Sequence, residues 1–162
     1  MIMINHKCII IILITLLQGC QLFEADRRSY SESGIADEGL LINFREHHKD
    51  SKDSDPELFL DLQTKEIFKC ANYRIDYKKR SKDTSIEIRL LGIDIGPFCL
   101  TAFGPAYAHI SFPDVAGKKE LVIMDGDLRD RYEIYITDTR VDITPIDVSF
   151  TETGRTRYYR KP

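Results

Sequence analysis

A chain of 162 residues with a formal net charge of −3 has room for one domain and a short extension, not for two full domains. A mild negative balance suits solubility and gives no general case for nucleic acid as a partner. Tryptophan is absent, and four cysteines are present.

In chain order, residues 1–7 carry Lys7 and no acidic group, and residues 8–17, CIIIILITLL, are apolar apart from Thr15. A basic start, a short apolar run and a small residue before a cut describe a secretory signal peptide over residues 1–19. The run falls short of the roughly 20 residues a bilayer-spanning helix needs. Its ending, Leu17-Gln18-Gly19-Cys20, resembles the lipobox of bacterial lipoproteins, with Gln18 where Ser or Ala is more usual. The resemblance implies that Cys20 carries a diacylglycerol, begins the mature protein and anchors it to a membrane of the bacterial cell envelope. Gln21 rather than Asp beside the lipid points, by the same resemblance, to the outer membrane where a cell has two. Each buried methylene contributes about 0.8 kcal/mol, so one chain binds reversibly and two or three hold.

The signal holds one of the 23 basic residues and none of the 26 acidic ones, so the mature balance becomes −4. Residues 20–56 are mostly polar and charged, and predict a flexible tether behind the lipidated cysteine. One exception is GLLINF, residues 39–44, short enough to form a strand on the domain edge. From residue 57 to 162 the pattern predicts a domain. ELFLDLQ (57–63), EIFKCANYRIDYKK (66–79), SIEIRLLGIDI (85–95), AYAHISF (106–112), ELVIMD (120–125), RYEIYIT (131–137) and VDITPIDVSF (141–150) alternate apolar with polar residues between Gly, Pro and Asp turns. That is the all-β signature. The phase change at Leu91-Gly92 predicts a β-bulge, and Pro145 predicts an edge position or a break.

Seven or eight strands in about 100 residues predict a single antiparallel β-sandwich of Ig-like or Greek-key type. Asp130-Arg131-Tyr132-Glu133-Ile134 resembles the tyrosine-corner signature of immunoglobulin-type domains, with Ile134 in place of the cysteine. There is no core Trp, and Cys70 and Cys99 are too close in sequence for the bridge between sheets usual in that family. Cys8 leaves with the signal and Cys20 goes to lipid, so Cys70 and Cys99 are expected to form one disulfide in an oxidising compartment. A thiol-dependent site with His109 as base is the competing reading.

No catalytic motif is present: no Gly-x-Ser-x-Gly, no His-Glu-x-x-His, no Gly-rich phosphate loop. The expectation is a protein that is not an enzyme and uses no cofactor or metal. His47-His48 point apart in an extended chain, and His109 falls on the polar side of its strand. Asp125, Asp127 and Asp130 could offer oxygens to calcium, but Asp-Gly before a strand is also an ordinary hairpin turn. Two basic clusters stand out, Lys78-Lys79-Arg80-Ser81-Lys82 and the C-terminal Arg155, Arg157, Arg160 and Lys161 around Tyr158-Tyr159. Tyr and Arg are enriched at interface hot spots. The candidate binding surface is therefore Phe98, Phe103 and Tyr107 in the turn-rich stretch 96–108, with Tyr158, Tyr159 and Arg160 in the tail. The function expected is a membrane-anchored, non-catalytic binding or assembly module with a protein or envelope-polymer partner. The alternatives are an inhibitor of a secreted enzyme, or an accessory domain that captures a glycan or protein for one.

Overall fold

A computed structural model describes residues 35–47, 56–94, 96, 99–112 and 115–160. The signal segment, Cys20, most of the expected tether, and Phe98 lie outside the described residues. The described chain is all-β: a 3-10 turn at Ile35–Glu38 is followed by ten strands. These are β1 (Leu40–His47), β2 (Glu57–Thr64), β3 (Arg74–Ser81), β4 (Ser85–Asp94), β5 (Tyr107–Ser111), β6 (Gly117–Asp125), β7 (Leu128–Ile136), β8 (Arg140–Asp147), β9 (Thr151–Thr153) and β10 (Arg157–Tyr159).

They form one hydrogen-bonded sheet in the order β10-β8-β7-β6-β4-β3-β5-β2-β1-β9. Its pairing is mixed, not antiparallel as the strand pattern suggested: β4 runs parallel to β6, β1 to β9, and β3 touches β5 in parallel. The cause is the placement of β5. Instead of folding back on β4, the chain crosses to sit between β3 and β2, and must then return to the far side of β4 to make β6. Two reversals intervene, so β4 and β6 share a direction.

The period of two decides which side chains enter the core. Leu58, Leu60 and Leu62 of β2, Ile86 and Ile88 of β4, and Ile134 and Ile136 of β7 are almost wholly buried, in one continuous apolar cluster. The sheet curls around that cluster until its two ends approach beside β1. There the Phe44 and Tyr158 rings meet edge-on at 5.8 Å, and Arg160 Nε lies 2.6 Å from Glu46 Oε1.

Two expected irregularities are present. In β4 the register slips between Asp76 and Tyr77 of its neighbour, leaving Leu91 as the extra residue of a bulge beside Gly92. The positive φ of Gly92, 137°, is a conformation that a residue with a Cβ rarely adopts. Pro145 sits in the half of β8 that β10 does not reach, where a missing N–H costs no ladder bond. A second bulge follows it opposite Arg131.

The domain begins earlier than residue 57. Residues 40–47 form β1, with Leu40, Ile42 and Phe44 buried, so GLLINF is a strand as expected but belongs to the domain and not to the tether. It pairs with β2 along its whole length, and β9 covers its other side over residues 40–42. The expected strand over 66–79 starts only at Arg74, because residues 65–73 form a lobe tied to the β4–β5 connection.

One close approach sets the seam. A Cβ on Gly154 would lie 2.8 Å from Asn43 Oδ1, the atom that accepts the Tyr158 hydroxyl at 3.1 Å. Gly154→Ala is expected to cost about 1–3 kcal/mol, the usual range for overpacking. In an Asn43→Ala background the same change should cost much less, a coupling that a double-mutant cycle in urea would read.

Candidate functional site

Most of the proposed tail is already employed in closing the fold. Tyr158 packs on Phe44, Arg157 pairs with Asp142, and Arg160 pairs with Glu46 while also donating to the Thr137 carbonyl at 2.9 Å. Of Tyr158, Tyr159 and Arg160, Tyr159 is the most open to solvent, 78% exposed, although its hydroxyl engages Arg157. The tail is strand β10, because alternate side chains that looked like a recognition motif face the neighbouring strands.

The stretch 96–108 is pinned as expected. Cys70 and Cys99 are disulfide-bonded with Cα atoms 5.2 Å apart, so a thiol-dependent site with His109 as base falls away. Phe68 and Gly104 exchange backbone hydrogen bonds, and Asn72 Oδ1 accepts the Leu100 N–H at 3.2 Å. Phe103 at the tip is exposed, whereas Tyr107 is half-buried with its ring 5.0 Å from that of His109.

His109 faces solvent, as its place in the alternation predicted, but it is not isolated. Its Nδ1 lies 2.6 Å from Asp61 Oδ1, and the other oxygen of that carboxylate binds Arg45 Nε at 2.7 Å. The nearby Ser111 hydroxyl is turned to Glu57. Lys79 reaches across from β3 to the Ser111 carbonyl and covers the Phe112 ring at 5.3 Å; burial lowers its pKa, with Glu57 acting the other way. Lys79, and the Tyr77 hydroxyl on the His109 carbonyl at 3.3 Å, cap carbonyls of β5 where β3 and β5 splay apart after their single shared pair.

The three aspartates proposed for calcium are dispersed. Asp125 Oδ2 accepts the Ala36 N–H at 2.6 Å, and Asp127 is exposed on the turn. Asp130 points into the core, where it accepts from the backbone N–H groups of Ser149, Phe150 and Thr151 and from the hydroxyls of Ser149 and Thr151. Tyr132 joins it, its hydroxyl 2.6 Å from Thr151 Oγ1. A tyrosine corner bonds back to nearby upstream backbone, whereas this hydroxyl reaches forward by 19 residues. Asp130 and Tyr132 thus clamp the turn between β8 and β9.

A polar surface emerges on the outer face of β3, β4, β6 and β7, where cross-strand register aligns distant residues. Lys78 is opposite Arg89, Arg89 opposite Met124, and Met124 opposite Arg129. One step along the strands, Arg80, Glu87, Val122, Arg131 and Asp147 make a second row. At about 4.8 Å per strand, the first row places three cations along about 15 Å. Val122 and Met124 form a buried apolar floor in an open groove of about 510 Å³.

Charge pairing there is uneven. Arg131 holds Glu120 at 2.6 Å, and Lys82 holds Glu87, lowering its pKa chiefly through that hydrogen bond. Among the described residues, Lys78, Arg89 and Arg129 take part in no direct ion pair; Arg129 makes a weak contact to Met124 Sδ at 3.8 Å and its charge also favours the Glu87 carboxylate. Planar guanidinium groups with free donors suit carboxylate, sulfate or phosphate oxygens. The sequence exposed Lys78 and Arg80 as part of a basic cluster, but not Arg89 or Arg129. The alternation did signal that they face outwards; their alignment needs the β4–β6 pairing. Comparison with protein-family models, with curated proteins and with solved structures finds no match to this chain.

Proposed function

We propose that this chain is an exported bacterial lipoprotein, held in the cell envelope by a lipid on Cys20. Its domain is a non-catalytic binding or assembly module for an anionic envelope polymer. The observation that carries the binding reading is the row Lys78–Arg89–Met124–Arg129, three exposed cations in no direct ion pair, beside an apolar floor; Glu87, Glu120 and Asp147 line the same groove, and Arg129 acts on Glu87 across it. Exposed charges attract a polyanion over about 10 Å at 0.1 M salt, and the floor gives its backbone or ring faces a dry contact. The membrane anchor is supported by the Leu17-Gln18-Gly19-Cys20 ending behind its apolar run. For the fold, a sandwich-like description is supported by the single core that two halves of the sheet share.

Arg89→Glu combined with Arg129→Glu is expected to weaken retention on an immobilised anionic polysaccharide at least about tenfold, the equivalent of about 1.4 kcal/mol. Retention of the native chain should fall as salt rises. Equal retention of the folded double variant would sink the polyanion reading. Capture of an acidic protein instead of the polysaccharide would favour the accessory alternative, for which the exposed Phe103 on its pinned lobe is the supporting observation. Intact mass and membrane fractionation of the native chain beside Cys20→Ala test the anchor. A lipid-sized increment lost in the variant is the expected result.

A further inference from the structure

We propose that the disulfide-pinned lobe is a bilayer-contacting surface. On this inference, which rests on the lipoprotein reading above, Ile67, Leu100 and Phe103 enter the headgroup region of a zwitterionic leaflet when the domain is anchored.

Strand direction supplies the first argument. Leu40, which starts β1, pairs with Thr64, which ends β2, and Gly39 O accepts the Lys65 N–H at 3.0 Å. The chain therefore arrives from the anchor at the end of the sheet that carries the lobe. The same end holds the start of β3 and the start of β5, aligned at Arg74 and Tyr107. Fourteen residues separate Cys20 from Ile35, a span of at most about 50 Å even when fully extended. An acylated Cys20 thus tethers the domain by this end of the sheet and leaves the lobe within reach of the lipid.

The second argument is the distribution of apolar surface. Ile67, Leu100 and Phe103 are 57, 60 and 78% exposed. Among the described residues, nine large apolar side chains are exposed, and only Tyr135 and Tyr159 of these lie toward the far end. Both are tyrosines, which carry a polar tip, whereas the lobe presents wholly apolar groups. Scattered exposed hydrophobics are ordinary, but a one-ended concentration marks a contact surface.

Rigidity and charge complete the case. The Cys70–Cys99 bond, the Phe68–Gly104 backbone pair and the Asn72–Leu100 hydrogen bond hold the tips out from the sheet, so little ordering cost remains for insertion. Exposed Lys69 and Asp94 flank the tips with opposite charges, which favours a zwitterionic surface over a strongly anionic one. Docking by the lobe leaves the Lys78–Arg129 row on the flank of the sheet, open to a polymer.

Because the chain has no tryptophan, Phe103→Trp and Tyr159→Trp make single reporters in the full lipidated protein. Each would be placed on phosphatidylcholine–phosphatidylethanolamine vesicles with and without brominated acyl chains. The Phe103→Trp emission is expected to shift blue and be quenched about twofold or more, as interfacial burial of an apolar side chain implies. The Tyr159→Trp emission should stay at its solution value. An unquenched, water-exposed Phe103→Trp reporter on protein that is vesicle-bound overturns the lobe assignment and leaves the anchor standing. A blue shift without bromolipid quenching overturns it in favour of a second copy of the chain, and protection only on native membranes overturns it in favour of a protein. If intact mass shows Cys20 unmodified and the native chain stays soluble, both the anchor and the lobe assignment fall.

Discussion

Asp130→Ala is expected to destabilise the domain by about 3–5 kcal/mol, the range for breaking a buried charged network. The carboxylate is fully buried and accepts five hydrogen bonds, three of them from consecutive backbone N–H groups at Ser149, Phe150 and Thr151. Removing it strands the buried donors of Phe150 and Thr151, and each stranded donor costs about 1–3 kcal/mol. The turn that starts β9 would then lose its clamp, and with it the parallel pairing of β9 to β1. Urea titration of the purified variant would check this. A midpoint within error of the native one would show that the turn holds itself.

The same carboxylate gives a pH signature. Burial acts to raise the Asp130 pKa, but the hydrogen bonds from Thr151 and Ser149 together outweigh it and hold the group below its ordinary value. A carboxylate depressed in the folded state contributes stability that is present above the unfolded value, near 4, and is lost as the pH falls through the folded one. Melting temperatures of the native protein should therefore fall as the pH drops below about 4. Asp130→Asn, which cannot ionise, should melt lower at neutral pH and lose part of that acid dependence. An equally steep acid limb in the variant would assign the effect to other carboxylates.

Replacing both Cys70 and Cys99 with serine is expected to cost about 3–4 kcal/mol, the chain-entropy estimate for a loop of this length; the two residues are 29 apart. The bridge ties the β2–β3 connection to the β4–β5 connection, and those are the segments that carry the exposed Ile67, Leu100 and Phe103. The loss should be local as well as global. Hydrogen exchange at the amides of Phe68 and Gly104, which pair across the lobe, is expected to accelerate more than exchange at Ile88 in the core. Reductant should lower the native midpoint toward that of the double variant and leave the variant unmoved. A reductant-insensitive native protein would mean that the backbone pair and Asn72 suffice to hold the lobe.

Much of the local structure was legible because alternation is a local property. Leu58, Leu60 and Leu62 point inward for a reason visible in ELFLDLQ alone, and the bulge at Leu91-Gly92 shows as a phase change in SIEIRLLGIDI. The even pair of cysteines was enough to expect their bond. Harder to read were segments whose pairing is their only reason to be strands. Thr151–Thr153 and Arg157–Tyr159 are three residues each, too short for a period to declare itself. Within polar surroundings, GLLINF was legible as a strand, but its extension to His47 and its pairing on both sides were not.

The candidate surfaces divide in the same way. Exposure of Phe103 followed from a turn-rich stretch between apolar strands. Tyr158 and Arg160 looked equally free, yet the curl of the sheet brings them onto Phe44 and Glu46, more than 100 residues away in the chain. Asp130 looked like one of three turn carboxylates until the β8–β9 turn was placed against it.

What the sequence by itself determined is the all-β character, the facing of each long strand and the disulfide, because each depends on side-chain period or on residue type within a short window. Strand order, mixed direction and the basic row were decided only by the tertiary structure. Lys78, Arg89 and Arg129 are separated by 51 residues from first to last, and only the crossing of β5 makes β4 and β6 neighbours. Hydrogen-bond pairing between strands is set by which apolar faces share the core, and no local window contains that information.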